Sequence, residues 1–334
     1  MIYVVIGFLW LSICLYLIFG GSDFGAGIIE LMTNKKDRSK IQGVMYESMA
    51  PVWEANHMWL IIAIVIMFVG FPVVYATLSI SLHIPFVLML VGIIARGTAF
   101  TFLHYDAVED KWQKLYTQIF YYSSLLTPFF LGVIAASTIS HKLIADQAPF
   151  LDKYIFSWLN WFGVSVGLFT ISICAYLASI FALRETKNDD ELAILVRKAK
   201  KTMAYIVISG ALVFLNAYLE KIPLFTLVFS GSIGIVAILL ATAALGAIFY
   251  CMKRRLLGPV RFLAGFQVVM ILVAATYTNN TNIVFLSNGN HLSLLEHMAP
   301  AKTIDALGWA LVLGSIFILP FLFYLLYSFT KRSK

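Results

Sequence analysis

Charge is what this sequence has least of. Only 12% of its 334 residues are Asp, Glu, Lys or Arg, against 61% hydrophobic residues, and the mean hydropathy is +0.88. So little charge excludes a water-soluble globular protein and leaves an integral membrane protein. Cysteine is scarce as well. Cys14, Cys174 and Cys251 fall in separate apolar stretches with no CxxC spacing, which excludes a zinc ribbon or a disulfide framework and reads them as core residues. No basic residue precedes the first apolar run, MIYVVIGFLW, and no small-residue cleavage site follows it, so a removed signal peptide is not expected. Long polar segments are missing too, which leaves no room for a separate soluble domain, and no repeat of fixed period stands out.

What is present is a series of long apolar runs. A hydrocarbon core about 30 Å thick needs roughly 20 apolar residues per helix, and nine such segments are expected, near 3–32, 50–77, 79–103, 117–139, 158–183, 202–219, 224–250, 259–278 and 304–328. The runs are continuous rather than alternating, so the expected class is all-α and polytopic, not a barrel. The whole chain, 1–334, reads as one integral membrane domain. The external stretch TNNTNIVFLSNGNHLSLLEHMAPAK reads as a surface loop, being rich in Asn and Ser. RETKNDDELAILVRKAKK, acidic first and basic later, reads as an interfacial helix leading into a span.

The basic residues fix an expected orientation. Of 24 Lys and Arg, 19 lie in the loops near 35–40, 111–114, 184–201 and 253–261 and in the tail 331–334; the opposite loops hold Lys142, Lys153, Lys221 and Lys302. By the positive-inside rule the rich side is cytoplasmic, the N-terminus outside and the C-terminus inside. The net charge of +7 is thereby spread over several loops without aromatic platforms, which argues against a nucleic-acid partner.

Ionisable residues inside the spans are few, and each needs water or a partner, because a mid-membrane charge costs roughly 2.5–3.5 kcal/mol even on a lenient scale. Asp23 and Glu30 lie in the first span, Glu54 and His57 enter the second, His83 opens the third, and Arg96 and His104 lie toward its end. Alternating span directions put Asp23, Glu54 and Arg96 at one depth in the cytoplasmic half. Gly20, Gly21, Gly25 and Gly27 surround Asp23 in GGSDFGAG. Gly21-x-x-x-Gly25 is the small-residue spacing that lets helices approach closely. Glu54, His57 and Met58 are spaced to share a helix face, with Trp53 and Trp59 at the same end as interfacial aromatics. Asp23 is read as functional or as an ion pair with Arg96, Glu54 as either functional or snorkelling to the headgroups, and Glu30 as a solvated helix end. A haem held by His57 and Met58 is the weaker reading of those two residues. His83, His104, His141, His291 and His297 show no metal-ligand spacing.

GGSDFGAG, PVWEANHMWL and GIIARGTAF together resemble subunit II of the cytochrome bd quinol oxidases, most clearly over residues 15–106. The resemblance implies a fold of two four-helix bundles plus one peripheral helix. It implies a homologous subunit I carrying two haems b, one haem d and the quinol-oxidising loop, in a bacterial inner-membrane complex that oxidises quinol and reduces dioxygen to water. A small accessory subunit, membrane lipid and, in some members, a structural quinone complete the implied partners. Subunit II in that picture supplies no catalytic residue, no haem ligand and no metal site. It stabilises subunit I and offers a cytoplasm-facing route for protons. Residue by residue, Asp23 matches the acid of the family's Gly-x-Asp-Phe-Gly-x-Gly pattern, and Trp53, Glu54, Asn56, Trp59 and Leu60 match Trp-acid-x-Asn-x-x-Trp-Leu, whose acid is commonly Asp. Glu54 is one methylene longer, a change of reach of roughly 1.5 Å. A departure follows Arg96-Gly97: many relatives continue Phe-Glu-Phe-Arg, whereas Phe100-Thr101-Phe102-Leu103 lacks both charges.

The expected proton-pathway residues are therefore Asp23, Glu54, His57 and Ser22, and the expected structural or interface residues are Gly21, Gly25, Trp53, Asn56, Trp59 and Arg96. Two alternatives stand beside this reading. One is a purely structural partner subunit; the other is a secondary transporter whose intramembrane charges bind substrate or ion.

Overall fold

A computed structural model of the chain describes residues 1–49, 53–105, 110–144, 148–279 and 281–332, the side chains of 54, 55, 104, 105, 110, 111, 319, 322, 323 and 325–332 excepted. The described residues are almost entirely helical. In chain order the helices are α1 (Ile2–Leu15), α2 (Gly21–Leu31), α3 (Arg38–Met49), α4 (Trp53–Gly70), α5 (Pro72–Ser81), α6 (His83–Tyr105), α7 (Asp110–Ile139), α8 (Trp161–Ala182), α9 (Asp189–Leu219), α10 (Leu224–Phe229), α11 (Ser232–Lys253), α12 (Val260–Thr276) and α13 (Ala301–Arg332). Among the described residues eight helices are long and apolar enough to cross a membrane, or nine if one sharply bent pair counts as a single span. The polytopic helical class is thus as the apolar runs dictate.

Three segments depart from the expected spans. The second, expected as one helix over 50–77, is broken: Asn56–Gly70 and Pro72–Ser81 meet at 116°. Pro72 has no N–H to continue the ladder and disfavours helical geometry in the residue before it, and Phe71 accordingly sits at φ −136°, ψ 58°. The seventh, expected over 224–250, is interrupted at Ser230–Gly231 between α10 and α11. The sixth starts earlier than expected. α9 is one helix of 31 residues with Asp189, Asp190 and Glu191 in its first turn, where the helix dipole favours acids, so the anticipated interfacial helix is continuous with the span. The Asn- and Ser-rich stretch expected as a surface loop is not wholly irregular either. Asn282–Phe285 and His291–Ser293 form an antiparallel hairpin, β1 and β2, with Gly289 at φ 83° in its turn, a conformation that glycine adopts without steric cost.

Between α1 and α2 the chain passes through one wide turn of π-helix, Tyr16–Gly20. Such a turn carries one residue more than an α-turn, and near its end the Phe19 carbonyl accepts from Ser22 Oγ at 2.8 Å and from Asn56 Nδ2 at 3.4 Å. α2 then packs between α7 and α8. The largest core gathers around it, drawing on Phe24 and Ile29, on Ile41 and Met45 of α3, on Phe120 of α7 and on Tyr176 and Leu177 of α8. A second core lies at the other end, joining α1, α4, α5 and the hairpin through Val5, Ile66, Phe71 and Val284.

Candidate functional site

The glycines of α2 decide what can stand beside Asp23. A Cβ on Gly25 would collide with the backbone carbonyl of Cys174 on α8, one on Gly21 would press on Leu177 and Cys174, and one on Gly27 would meet Ser124 of α7. Small residues therefore seat α2 against two neighbours at once. Among the described side chains Asp23 and Arg96 become the two most deeply buried charges of the first three spans, each 1% exposed.

They meet as a bidentate pair. Arg96 Nη1 donates to Asp23 Oδ2 at 2.6 Å and Nη2 to Oδ1 at 3.0 Å, while Nη2 also reaches the Asp23 carbonyl at 2.5 Å. Nε donates to Ser124 Oγ at 3.2 Å, and Met49 Sδ lies 3.8 Å from Nη2. The rings of Phe24 and Phe120 flank the guanidinium, each centroid 5.0 Å from Cζ. Planar fork, carboxylate and two aromatic faces are the partners that suit a desolvated arginine. The ion-pair reading of Asp23 holds, and Ser124, Phe120 and Met49 are partners that hydropathy alone did not single out.

The other expected residues spread around this pair. Ser22 and Asn56 both bond the Phe19 carbonyl. His57 packs against Phe24 and Tyr16, with ring centroids 6.1 and 6.4 Å away, and among the described residues its Nδ1 is buried without a hydrogen-bond partner, as is the Tyr16 hydroxyl. Trp53 tilts over Phe100 at 5.1 Å, and Trp59 is buried. Glu54 belongs to α4, but its side chain lies outside the described residues.

Glu30 corrects the sequence reading. It is no solvated helix end but 6% exposed, within hydrogen-bonding reach of Gln42 and Tyr121, because α3 folds back over the end of α2. The sequence carried only part of the signal: Glu30 follows Asp23 by seven residues, two helical turns, and so lies on the same face, but its cover comes from α3.

His57 and Met58 do not fit a haem. His57 turns toward Tyr16 and Phe24, whereas Met58, one residue on, is 50% exposed. Successive helical residues diverge by about 100° and cannot converge on one iron. Among the described residues no group of three or more His, Cys, Asp or Glu side chains could hold a metal ion.

Known proteins match both the sequence and the fold. The family model for cytochrome bd terminal oxidase subunit II matches residues 1–329. Cytochrome bd ubiquinol oxidase subunit 2 of Bacillus subtilis is 28% identical over 201 residues, 59% of this chain and 57% of that protein. Cytochrome bd-I ubiquinol oxidase subunit 2 of Escherichia coli K12 is 25% identical over 185 residues, 51% of this chain and 46% of that protein. The chain thus spans about half the length of the curated relatives it matches. A chain of the bd oxidase from Geobacillus thermodenitrificans has the same fold, with a TM-score of 0.76 at 17% identity over 98% of both chains. A match that runs through nearly every residue, on a chain whose helices have that fold, makes this protein a member of the cytochrome bd terminal oxidase subunit II family.

Proposed function

We propose that this chain is the partner of a haem-bearing subunit I in a quinol:oxygen oxidoreductase of a bacterial inner membrane, and that its first task is to hold that partner in a rigid helical scaffold. The names of the relatives, subunit 2 of ubiquinol oxidases, point to the complex. The Asp23–Arg96 pair carries the scaffold reading. A transporter needs intramembrane charges that water and substrate reach in turn, whereas this pair is buried, bidentate and flanked by two aromatic rings. In this reading the two haems b and haem d belong to subunit I, where they supply the redox chemistry. This chain contributes packing surface, with its N-terminus outside and its C-terminus in the cytoplasm. The test is purification of the intact complex. Co-purification with a second polypeptide and absorption bands of both haem types are expected; a stable, colourless protein that binds a solute by itself would overturn the reading.

A proton route past Asp23, Glu54, His57 and Ser22 is a second reading that one observation favours. Among the described residues the Tyr16 hydroxyl and His57 Nδ1 are buried polar atoms without hydrogen-bond partners, and their rings cluster with Phe24, beside Asp23 in sequence. Groups of this kind are usually satisfied by ordered water, and water beside carboxylates moves protons. Glu54→Gln should slow oxygen reduction by the complex while its haem content stays near normal. Unchanged turnover in a fully assembled Gln variant would sink the route.

A further inference from the structure

Where the ends of α2, α3, α6 and α7 come together, a cavity of about 1070 Å³ opens. Its charged lining among the described residues is Lys35, Arg38 and Lys114 against one carboxylate, Glu30. Arg38 is the most constrained of the three cations. Its Nη2 donates to the Thr33 carbonyl at 3.2 Å, its Cζ lies 5.6 Å from the centroid of the Tyr121 ring, and its Nε is buried with no hydrogen-bond partner among the described residues. A buried charged donor left unpaired is costly, so this N–H marks a place for an acceptor.

A second cavity, about 370 Å³, runs between α6 and α7 and is lined by apolar side chains such as Val91, Ile119 and Leu126. Gln118 and Tyr122 line both cavities, so the two adjoin. The lining of α7 in this groove extends from Leu115 to Leu126. Eleven steps at 1.5 Å per residue make about 16 Å, close to half of a hydrocarbon core of about 30 Å. A cationic chamber at the helix ends thus leads into an apolar groove one leaflet deep.

We propose that this is a binding site for one anionic phospholipid, its phosphate held by Arg38, Lys35 and Lys114 and one acyl chain laid along the α6–α7 groove. Free phosphate would use the chamber and leave the groove empty. A quinone would use the groove and leave the cations without a counter-charge. Glu30, on the chamber wall, adds an acceptor for the hydroxyl groups of a glycerol headgroup.

Native mass spectrometry of the detergent-purified complex tests the site after delipidation and addition of phosphatidylglycerol, phosphatidylethanolamine, phosphatidylcholine or inorganic phosphate. One phosphatidylglycerol should be retained in preference to the other lipids. Each basic residue near a membrane surface contributes a factor of about five to anionic lipid binding, so Arg38→Gln and the more exposed Lys114→Gln should each lower that retention about five-fold. Val91→Trp, which fills the groove from an exposed position, should lower it as well, while Arg254→Gln on another loop should not. The proposal fails if phosphatidylcholine or phosphatidylethanolamine is held equally well, if inorganic phosphate displaces the lipid, if a quinone occupies the groove, or if Val91→Trp and Lys114→Gln both leave retention unchanged. Lys114→Gln and Val91→Trp keep the test decisive even if Arg38→Gln does not assemble.

Discussion

Replacing Arg96 with Met would strand the Asp23 carboxylate among Phe24, Phe120 and the backbone of α8, with both of its oxygens deprived of their donors. Removing one member of a buried pair costs about 3–5 kcal/mol in soluble proteins, and a lone charge at mid-membrane costs roughly 2.5–3.5 kcal/mol. The two scales agree on about 3 kcal/mol, a shift of about a hundred-fold in the fraction of correctly packed chain, since each 1.4 kcal/mol is tenfold. Asp23→Leu should be equally harmful, because it leaves Arg96 charged and enclosed. The double variant Asp23→Leu/Arg96→Met removes both charges and should recover most of the loss, as buried pairs replaced by apolar side chains of similar volume are often neutral. The assay is the haem-to-protein ratio of the purified complex together with its rate of thermal inactivation, compared across the four forms as a double-mutant cycle. Each single variant should lose haem and inactivate faster, with the double close to the parent. If the losses of the single variants simply add in the double, the lock is not what holds α2 to α6 and the scaffold reading fails.

Glycine substitutions should separate seating from mere helicity. Gly25→Val forces a side chain into the Cys174 carbonyl and should cost at least the 1–3 kcal/mol or so typical of overpacking, read as loss of assembled complex. Gly246→Ala enters open space and should gain about 0.5–1 kcal/mol from reduced chain entropy, read as a higher inactivation temperature. The β1–β2 hairpin should respond to pH. His141 stacks beside Phe285 at 4.6 Å, and burial pushes its imidazole below the ordinary value of 6.5. The docked form binds the proton more weakly than the undocked one, so docking is firmest above about pH 6.5 and loosens as the pH falls. Hydrogen exchange at Val284 and Leu286, corrected for intrinsic rates, should quicken on acidification, and His141→Gln should abolish that dependence.

The chain's hydropathy by itself determined that this is a polytopic helical protein, because a span must satisfy its own backbone in lipid and so announces itself locally as a long apolar run. It also identified Asp23 and Arg96 as charges in need of a partner, and the Gly21 and Gly25 spacing as the means of close approach. Breaks were less legible. Pro72 was visible, but whether a proline bends a span gently or turns it by 116° depends on what packs around the bend, and Phe71 there is fully buried by the second core. Partner choice was the tertiary structure's to make. Asp23 and Arg96 are 73 residues apart, and only the packing of α7 against both α6 and α2 brings Asp23, Ser124 and Phe120 to the same guanidinium. Glu30 shows the same limit from the other side. Its place at the end of an apolar run suggests a solvated terminus, yet α3 covers it, and burial is a property of what the chain later folds across. Local pattern decides which segments enter the membrane; which charges meet inside it is set by helix neighbours distant in sequence.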